Sequence, residues 1–598
     1  MPFDRLTQIW RFAKYGLPLA RTRPETARTI ADVIEEQAAA RGLHPFVLFE
    51  GRTITYDEYN RAANRVAHWA LAHGIGRGER VALLMQNRPE FLETWAGLAK
   101  VGATCALINT NLAGRALEHA IATADAKHVI VGSECLEALA SLDGAAPWQV
   151  WVSVDKGSQR AATPQGARDL TSELATRPSA NPPASAREGA RTGDDLFYIY
   201  TSGTTGLPKA ARFSHMKFIS TGTASRLAGF GATDVMYCAL PLYHSAGGAM
   251  AVGTVLLSGG TLALRRRFSA RDFWSDVRAT ESTAFQYIGE FCRYLLNQPS
   301  DPRDGEHRLS FCIGNGLRPD IWEPFRDRFR IPRIVEFYGA TEGNVAMLNL
   351  DNKVGSVGRI PSKLLMDARL VRYDVERDEH LRSADGRLLE CATGEVGELV
   401  GALPRRTGDN RGRFEGYTSK EATERKILRN AFADGDSFFR TGDLLKQDAG
   451  GYFYFVDRIG DTFRWKGENV STQEVAEAAG AFPGIQLANV YGVEVPGGDG
   501  RAGMAALVVA DPLGFDTRAF YEHVVSSLPS YAVPVFLRLQ REAEVTGTFK
   551  LRKVELQREG WDPAALEDPL FIRDDAARAY VPLDAQRHRQ VAAGEVRL

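Results

Sequence analysis

The stretch Tyr198-Ile-Tyr-Thr-Ser-Gly-Thr-Thr-Gly-Leu-Pro-Lys209 is the one whose reading decides the rest. Leu196 to Tyr200 is aromatic and β-branched, a strand signal, and it runs directly into a loop of Ser, Thr and Gly closed by Lys209. Such a loop exposes several backbone N–H groups, adds hydroxyls and ends in a mobile ammonium. That set suits a triphosphate, which needs a concave nest of donors and one compact positive charge. Gly203-x-x-Gly206-x-x-Lys209 lacks the spacing and the following Ser or Thr of a Walker loop. By itself a Ser/Thr/Gly loop is an ordinary solvated turn, so the stretches on either side of it must decide.

Outward from this loop the chain alternates. Upstream the periodicities predict a helix over Thr29–Ala40, a hairpin Phe46–Glu50 and Thr53–Tyr56, and a helix Asp57–Ala72. They continue as strand Arg80–Met85, helix Pro89–Val101, strand Thr104–Ile108, helix Ala113–Ala124 and strand His128–Val131. Downstream come helix Met216–Arg226, strand Val235–Ala239, helix Ala246–Leu257, strand Thr261–Leu264, helix Ala270–Arg278 and strand Ala284–Tyr287. Strands alternating with amphipathic helices predict an α/β fold with doubly wound parallel sheets. After Ile360 short strands separated by Gly turns (Ala368–Arg372, Gly397–Val400, Tyr452–Val456) predict a β-barrel-like, antiparallel subdomain. After Asp461 a small α+β unit is expected: helix Gln473–Ala479, strands Gln486–Val493 and Met504–Val509, helix Phe515–Ser526. The expected division is 1–460 and 461–598. Lys156 to Asp194, rich in Ala, Pro, Ser, Gly and Arg without an apolar period, reads as a surface loop or linker. No internal repeat is visible.

At 598 residues the chain exceeds a single core. A net charge of −1 removes a nucleic-acid partner built on bulk electrostatics. The six cysteines are dispersed without C-x-x-C spacing, which reads as buried thiols in a reducing compartment. The uncharged stretch Ala246–Leu264 approaches the length of a membrane span, but Gly259-Gly260 breaks it into a helix and a strand. At the N-terminus Leu6, Ile9, Trp10 and Ala13 fall at helical spacing beside Arg5, Arg11 and Lys14. Residues 5–17 therefore read either as a peripheral membrane contact or as a helix docked on its own domain. The expected location is cytoplasmic, or peripheral on the inner face of a membrane.

Five further stretches carry chemistry-bearing residues. His244 lies in Leu240-Pro-Leu-Tyr-His-Ser-Ala-Gly-Gly248, at a strand exit where two glycines leave room for an apolar ligand. Glu342 stands between Thr341 and Gly343 in Phe337-Tyr-Gly-Ala-Thr-Glu-Gly-Asn344, where a hard carboxylate suits Mg²⁺ bridging phosphate oxygens. Arg440-Thr-Gly-Asp443 offers a carboxylate suited to ribose hydroxyls. Asp457-Arg-Ile-Gly-Asp-Thr-Phe-Arg-Trp-Lys-Gly467 leaves a strand densely charged, and Val545-Thr-Gly-Thr-Phe-Lys550 ends on a lysine. Each taken alone is an ordinary loop.

In this order and spacing, together with Asp568-Pro-Leu-Phe571 and Tyr580-Val-Pro-Leu-Asp584, the set resembles the adenylate-forming superfamily. That superfamily contains acyl-CoA synthetases, adenylation domains and luciferases, and the resemblance is to its fatty acid transport protein or very-long-chain acyl-CoA synthetase branch. Three departures from the superfamily pattern match that branch: Asp457 in place of Gly, Phe463-Arg464 in place of Ile-Lys, and Gly547-Thr-Phe-Lys550 in place of Gly-Lys. The resemblance implies a long- or very-long-chain fatty acid:CoA ligase using ATP, Mg²⁺ and coenzyme A. Tyr200, Thr201, Ser202, Gly203, Thr204, Thr205, Gly206 and Lys209 would then wrap the β- and γ-phosphates. Tyr338 would stack near adenine, Asp443 accept from the ribose, and Arg458 support ribose and phosphate. Glu342 and Thr204 would hold Mg²⁺, Thr341 contact the α-phosphate, and His244 serve with the catalytic residues. Lys550 would bridge the substrate carboxylate and the α-phosphate. Asp461 matches a hinge, and the segment from there to Gly467 would help form the thiol tunnel. The alternatives are fatty-acid uptake coupled to acyl activation, or adenylation of another carboxylate such as a bile acid or a carrier-bound acyl group. An amino-acid substrate would call for a buried acid facing its amine, and none is identifiable in the sequence.

Overall fold

The alternation of strand and helix resolves into two hydrogen-bonded sheets in the computed structural model, which describes residues 5–142, 147–155, 164–201, 207–360, 366–375, 377–404, 412–546, 550–596 and 598. The first sheet runs Arg168–Asp169, Gln149–Ser153, His128–Gly132, Arg80–Leu84, Thr104–Leu107, Asp195–Thr201, Lys209–Ser214. Its neighbours are parallel except the last pair, where Thr201 faces Lys209 across an antiparallel turn. Val81 to Leu84 and Thr104 to Leu107 are buried at every position, as strands covered on both faces must be.

In the second sheet the parallel strands Thr261–Leu264, Val235–Cys238, Ala284–Ile288, Phe311–Asn315 and Ile334–Gly339 lie side by side. At Ile334–Gly339 the sheet changes sense. Ala346–Leu348, Gly358–Arg359, Tyr452–Arg458, Ser437–Gln447, Val396–Ala402 and Ala368–Val371 continue it antiparallel. The antiparallel region expected after residue 360 is therefore continuous by hydrogen bonds with the parallel one. Phe285 and Tyr287 place their rings on one side, Phe285 against Phe273, Phe291 and Phe325. On the other side the helix His215–Ala228 packs on Val252–Ser258 so closely that a Cβ on Gly222 would stand 2.5 Å from the Gly253 carbonyl carbon. Both helices end on a left-handed glycine, Gly229 at φ 115° and Gly259 at φ 72°, where a side chain would be strained.

Beyond residue 460 a five-stranded sheet is ordered Ile485–Glu494, Arg501–Val509, Phe536–Gln540, Leu570–Asp574, Ala579–Pro582. With the helices Thr472–Gly480 and Thr517–Ser527 it encloses its own core, in which Phe536 stacks on Trp561 at 4.9 Å. This unit rests on the preceding one where the Asn297 amide donates to the Gln486 carbonyl at 3.1 Å.

Two sequence readings need adjustment. The composition of residues 156–194 suggested a linker, yet Arg168–Asp169 pairs with the first sheet, Leu170–Ala175 is a helix and Leu170 is fully buried. Arg187 anchors the rest: its guanidinium donates to Glu35 at 2.7 Å and Asp32 at 2.9 Å, beside the fully buried Lys100, which donates to Glu35 at 2.7 Å. Composition sees few apolar residues there; it cannot see one arginine meeting two acids across the fold. The helix expected at Ala246–Leu257 begins as a π-helix, Ser245–Ala251, before the α-helix Val252–Ser258. A Cβ on Gly248 would collide with the Leu242 carbonyl oxygen at 2.0 Å, which is why glycine stands in that wide turn. Among the described residues no helix is long and apolar enough to cross a membrane, in agreement with the reading of Ala246–Leu264 as helix and strand.

The Lys100–Glu35–Arg187 cluster yields a stability prediction. Glu35→Ala strips the fully buried Lys100 of its 2.7 Å partner, and removal of one member of a buried ion pair costs about 3–5 kcal/mol. The urea midpoint of Glu35→Ala is expected to fall accordingly, and that of Lys100→Met combined with Glu35→Leu to fall much less. Equal midpoints for the two variants would contradict the assignment.

Candidate active site

The ends of the two sheets bring the dispersed motifs into one cleft. The strand Ser437–Gln447 pairs with Tyr452–Arg458 so that Asp443 is opposite Arg458. The Tyr338 hydroxyl donates to Asp443 Oδ2 at 2.6 Å, and Arg458 Nε lies 3.7 Å from Oδ1. Burial raises the Asp443 pKa, opposed by the charges of Arg458, Lys426 and Lys550 and by the Tyr338 hydrogen bond. Lys550 reaches this group from the C-terminal unit, and its N–H donates to Thr546 Oγ1 at 3.1 Å. Desolvation and the nearby Arg458 guanidinium lower the Lys550 pKa to about 8, against the opposing pull of Asp443, Glu342 and Asp461. His244 also feels the Lys550 charge. Burial first, then that charge, bring its imidazole to about 3, so it is neutral at pH 7. Its Nδ1 accepts from the Ala246 N–H at 3.2 Å, which caps the π-helix.

A second cluster surrounds Glu342. The Tyr417 hydroxyl donates to Glu342 Oε1 at 2.8 Å and is hydrogen-bonded to Thr201, tying the end of the opening strand to the carboxylate. Tyr417 is itself placed by backbone pairing with Ala211. Thr341 Oγ1 lies 3.1 Å from Ser245 Oγ. Lys217 donates to the Gly343 carbonyl at 2.8 Å, and its pKa is lowered by desolvation while Glu415 and Glu342 oppose the shift.

Thus Tyr338, Thr341, Glu342, Asp443, Arg458, Lys550, His244 and Thr201 share one cleft. Other predicted residues take different places. Ser202, Gly203, Thr204, Thr205 and Gly206 lie outside the described residues. Tyr200 turns inward, donating its hydroxyl to the Ala120 carbonyl at 2.5 Å, so its side chain braces the strand and leaves only backbone toward the cleft. Lys209 opens the returning strand opposite Thr201. Asp461 pairs with Lys553 at 3.3 Å and donates its N–H to the Arg458 carbonyl at 3.0 Å, beside Gly460, where a Cβ would meet nothing within 4 Å. Gly467, at φ +83°, sits with Lys466 at the exposed tip of the hairpin joining Phe463–Trp465 to Glu468–Val470.

Sequence reasoning passed over four residues. Tyr417, Lys217 and Lys426 stand in stretches without a Gly-rich signature, and only the fold turns them toward the cleft. Glu336 carried a signal: it is an acid inside the apolar strand Ile334–Gly339. Its carboxylate accepts from Tyr287 at 2.9 Å, Gly316 N–H at 3.2 Å and Leu317 N–H at 2.7 Å, which fastens the loop after Phe311–Asn315. Burial nevertheless pushes its pKa up to about 8.

Two parallel sheets with an antiparallel extension, and a small C-terminal unit presenting a lysine to their common cleft, define an adenylate-forming enzyme. The anthranilate CoA ligase AuaEII, solved in complex with anthranoyl-AMP, has this fold. Its TM-score is 0.74 at 19% identity, over 90% of this chain and 97% of that one. Residues 34–402 match the family described as AMP-binding enzyme. Long-chain fatty acid transport protein 6 of Mus musculus is 39% identical over 602 residues, spanning 100% of this chain and 96% of its own length. Long-chain fatty acid transport protein 1 of Bos taurus is 43% identical over 562 residues, spanning 91% and 84%. The chain belongs to the AMP-binding enzyme family, on the branch of the long-chain fatty acid transport proteins.

Among the described residues no group of three His, Cys, Asp or Glu gathers, so the carboxylate with the donor chemistry for a hard cation here is that of Glu342. A lone carboxylate, Glu342, oriented by Tyr417, is what Mg²⁺ uses when water and substrate phosphates complete its shell. Loss of such an orienting partner costs about 10–100-fold in metal affinity. Tyr417→Phe is therefore expected to raise the Mg²⁺ concentration for half-maximal ATP–pyrophosphate exchange about tenfold or more, with the unfolding midpoint unchanged. An unaltered Mg²⁺ dependence would contradict it. Lys550 supplies a pH prediction. Its lowered pKa means the ammonium is present below about pH 8 and lost above it. The kcat/KM of the first half-reaction should fall about tenfold per pH unit on the alkaline side. Lys550→Arg, always charged, should remove that limb whatever its absolute rate.

Proposed function

We propose that this chain is an AMP-forming fatty acid:CoA ligase that activates long or very long acyl chains through an acyl-adenylate. The observation that carries the reading is the position of Lys550. A lysine from the C-terminal unit enters a cleft that already holds Asp443, Glu342 and the neutral His244. A carboxylate is a poor acyl donor because its oxide leaves badly, and two anions must meet when it attacks the α-phosphate. A positioned, partly desolvated cation at that meeting point stabilises the charge that develops there. The ribose hydroxyls would donate to Asp443, already oriented by Tyr338 and Arg458, and Thr341 would contact the α-phosphate. Mg²⁺ on Glu342 and Thr204 would neutralise charge on the phosphates. The 202–206 loop with Lys209 would wrap the β- and γ-phosphates and release them as pyrophosphate.

The arrangement suits the first half-reaction. For the second, we place the boundary at 460/461, with Asp461 as the hinge. Gly460 has open space around its Cα, and a rotation there would break the Asp461–Lys553 pair and withdraw Lys550. The segment to Gly467, whose tip at Lys466 and Gly467 is exposed in this state, would then turn to the cleft and shape the path of the CoA thiol. The names of the relatives support the long acyl chain. They also support a second reading, in which fatty-acid uptake is drawn by this activation, because esterification keeps the free acid concentration low.

The test is ATP- and CoA-dependent thioester formation by purified protein over a ladder of saturated acids, with medium chains turned over more slowly than long ones. Lys550→Ala is expected to lose pyrophosphate exchange by about 100-fold or more. It should still form thioester from a supplied acyl-adenylate. Equal loss of both half-reactions would sink the bridging role of Lys550. Asp461→Pro should show the converse pattern, keeping pyrophosphate release and losing CoA ester formation.

A further inference from the structure

Far from the cleft, the N-terminal helices cover a cavity of about 350 Å³ against the outer end of the helix His215–Ala228. Two cations converge there on one ring. The Arg226 guanidinium stands 4.1 Å from the Tyr15 centroid, and Lys14 Nζ lies 5.2 Å from the same centroid and 4.7 Å from that of Trp10. Among the described residues no carboxylate pairs with Arg226 or Lys14; the Arg226 guanidinium is hydrogen-bonded to Tyr15, and its Nε has no hydrogen-bond partner. The acid that lines the cavity, Glu36, is already taken by Arg28 at 2.6 and 3.2 Å. Leu19, Ile219 and Leu257 form apolar wall. The Tyr15 ring and hydroxyl answer part of the Arg226 charge, but the cavity offers it no free carboxylate among its described lining residues.

The rim points the same way. Ile9 and Trp10 are 65% and 55% exposed on the helix Arg5–Arg11, and Leu17 is 39% exposed on the helix that follows. The inner face of these helices is occupied: Arg11 donates to the Ala228 carbonyl at 3.2 Å and Gly16 is buried. The N-terminal segment is thus docked on its own domain, with Ile9, Trp10 and Leu17 facing outward.

We propose that this cavity binds an anionic amphiphile, its charged head held between Arg226 and Lys14 and its aliphatic chain along Leu19, Ile219 and Leu257 toward the exposed Ile9 and Trp10. The head is either that of a lipid in a membrane surface or that of a free single-chain anion; the chemistry is the same. The helix bearing Arg226 also bears Lys217, which donates to Gly343 beside Glu342, so an occupant of the cavity touches the element that underlies the catalytic loop.

The experiment uses the full chain and two probes that cannot be activated as acyl donors, so its outcome is independent of ligase activity. One is monomeric decyl phosphate, followed by calorimetry. The other is phosphatidylcholine vesicles with and without phosphatidylglycerol, followed by co-sedimentation. Wild type is expected to bind at least one anionic probe and to ignore pure phosphatidylcholine. Arg226→Met should weaken that binding about tenfold or more, and Arg226→Lys should restore part of it at an unchanged unfolding midpoint. Binding of decyl phosphate alone identifies the free anion as the source, and binding of phosphatidylglycerol vesicles alone identifies the membrane. The proposal is overturned if neither anionic probe binds, or if Arg226→Met and Arg226→Lys bind as wild type does.

Discussion

A carboxylate buried in a cleft must be answered by donors and positive charge, and in this protein Asp443 is that carboxylate. Its partners come from every part of the molecule: Tyr338 from the strand where the large sheet changes sense, Arg458 from the neighbouring antiparallel strand, and Lys550 from the C-terminal unit. Tyr338, Asp443 and Arg458 are brought together by the register of one sheet, in which Asp443 pairs with Arg458, while Lys550 arrives from outside it. Shift that register by one residue and Asp443 turns to the other face. Asp443, with Glu342 and Asp461, opposes the desolvation of Lys550.

The site is accordingly a charge-balanced surface with several incomplete shells. Glu342 is oriented by Tyr417 and faced by Lys217, and His244 is held neutral by burial and by Lys550. Glu336 fastens the Gly316–Leu317 backbone with two hydrogen bonds and accepts a third from the Tyr287 hydroxyl, while burial holds its proton to about pH 8. Such groups are preorganised before any ligand arrives, and this is what allows weak individual interactions to act on a transition state.

Much of this was legible in the residues. The strand–helix alternation from Thr29 to Tyr287 gave the parallel sheets, with boundaries shifted by one to a few residues because caps such as the Thr55–Glu58 box begin a helix one residue earlier than periodicity does. Thr-Glu-Gly, Thr-Gly-Asp and the terminal lysine marked the cleft through their order. What escaped were contacts between remote stretches without local signatures. Tyr417 and Lys217 lie in unremarkable segments, and Arg187 lies in one whose composition argued for a linker. Tyr200 belongs to the right strand, but its hydroxyl donates to the Ala120 carbonyl and its ring braces the fold.

By itself the sequence determined the class of fold, the family and the identities of the charged residues available for chemistry, because periodicity and short motifs are local properties of the chain. Only the tertiary structure decided which of those charges face one another and which are left unanswered. It set Lys550 beside Asp443 and exposed the hairpin at Gly467. It closed residues 164–194 onto the first sheet and set Arg226 and Lys14 over Tyr15 with no acid paired to either among the described residues. The reason is physical: a charge is satisfied by what lies within a few ångströms in space, and distance along the chain carries no information about that.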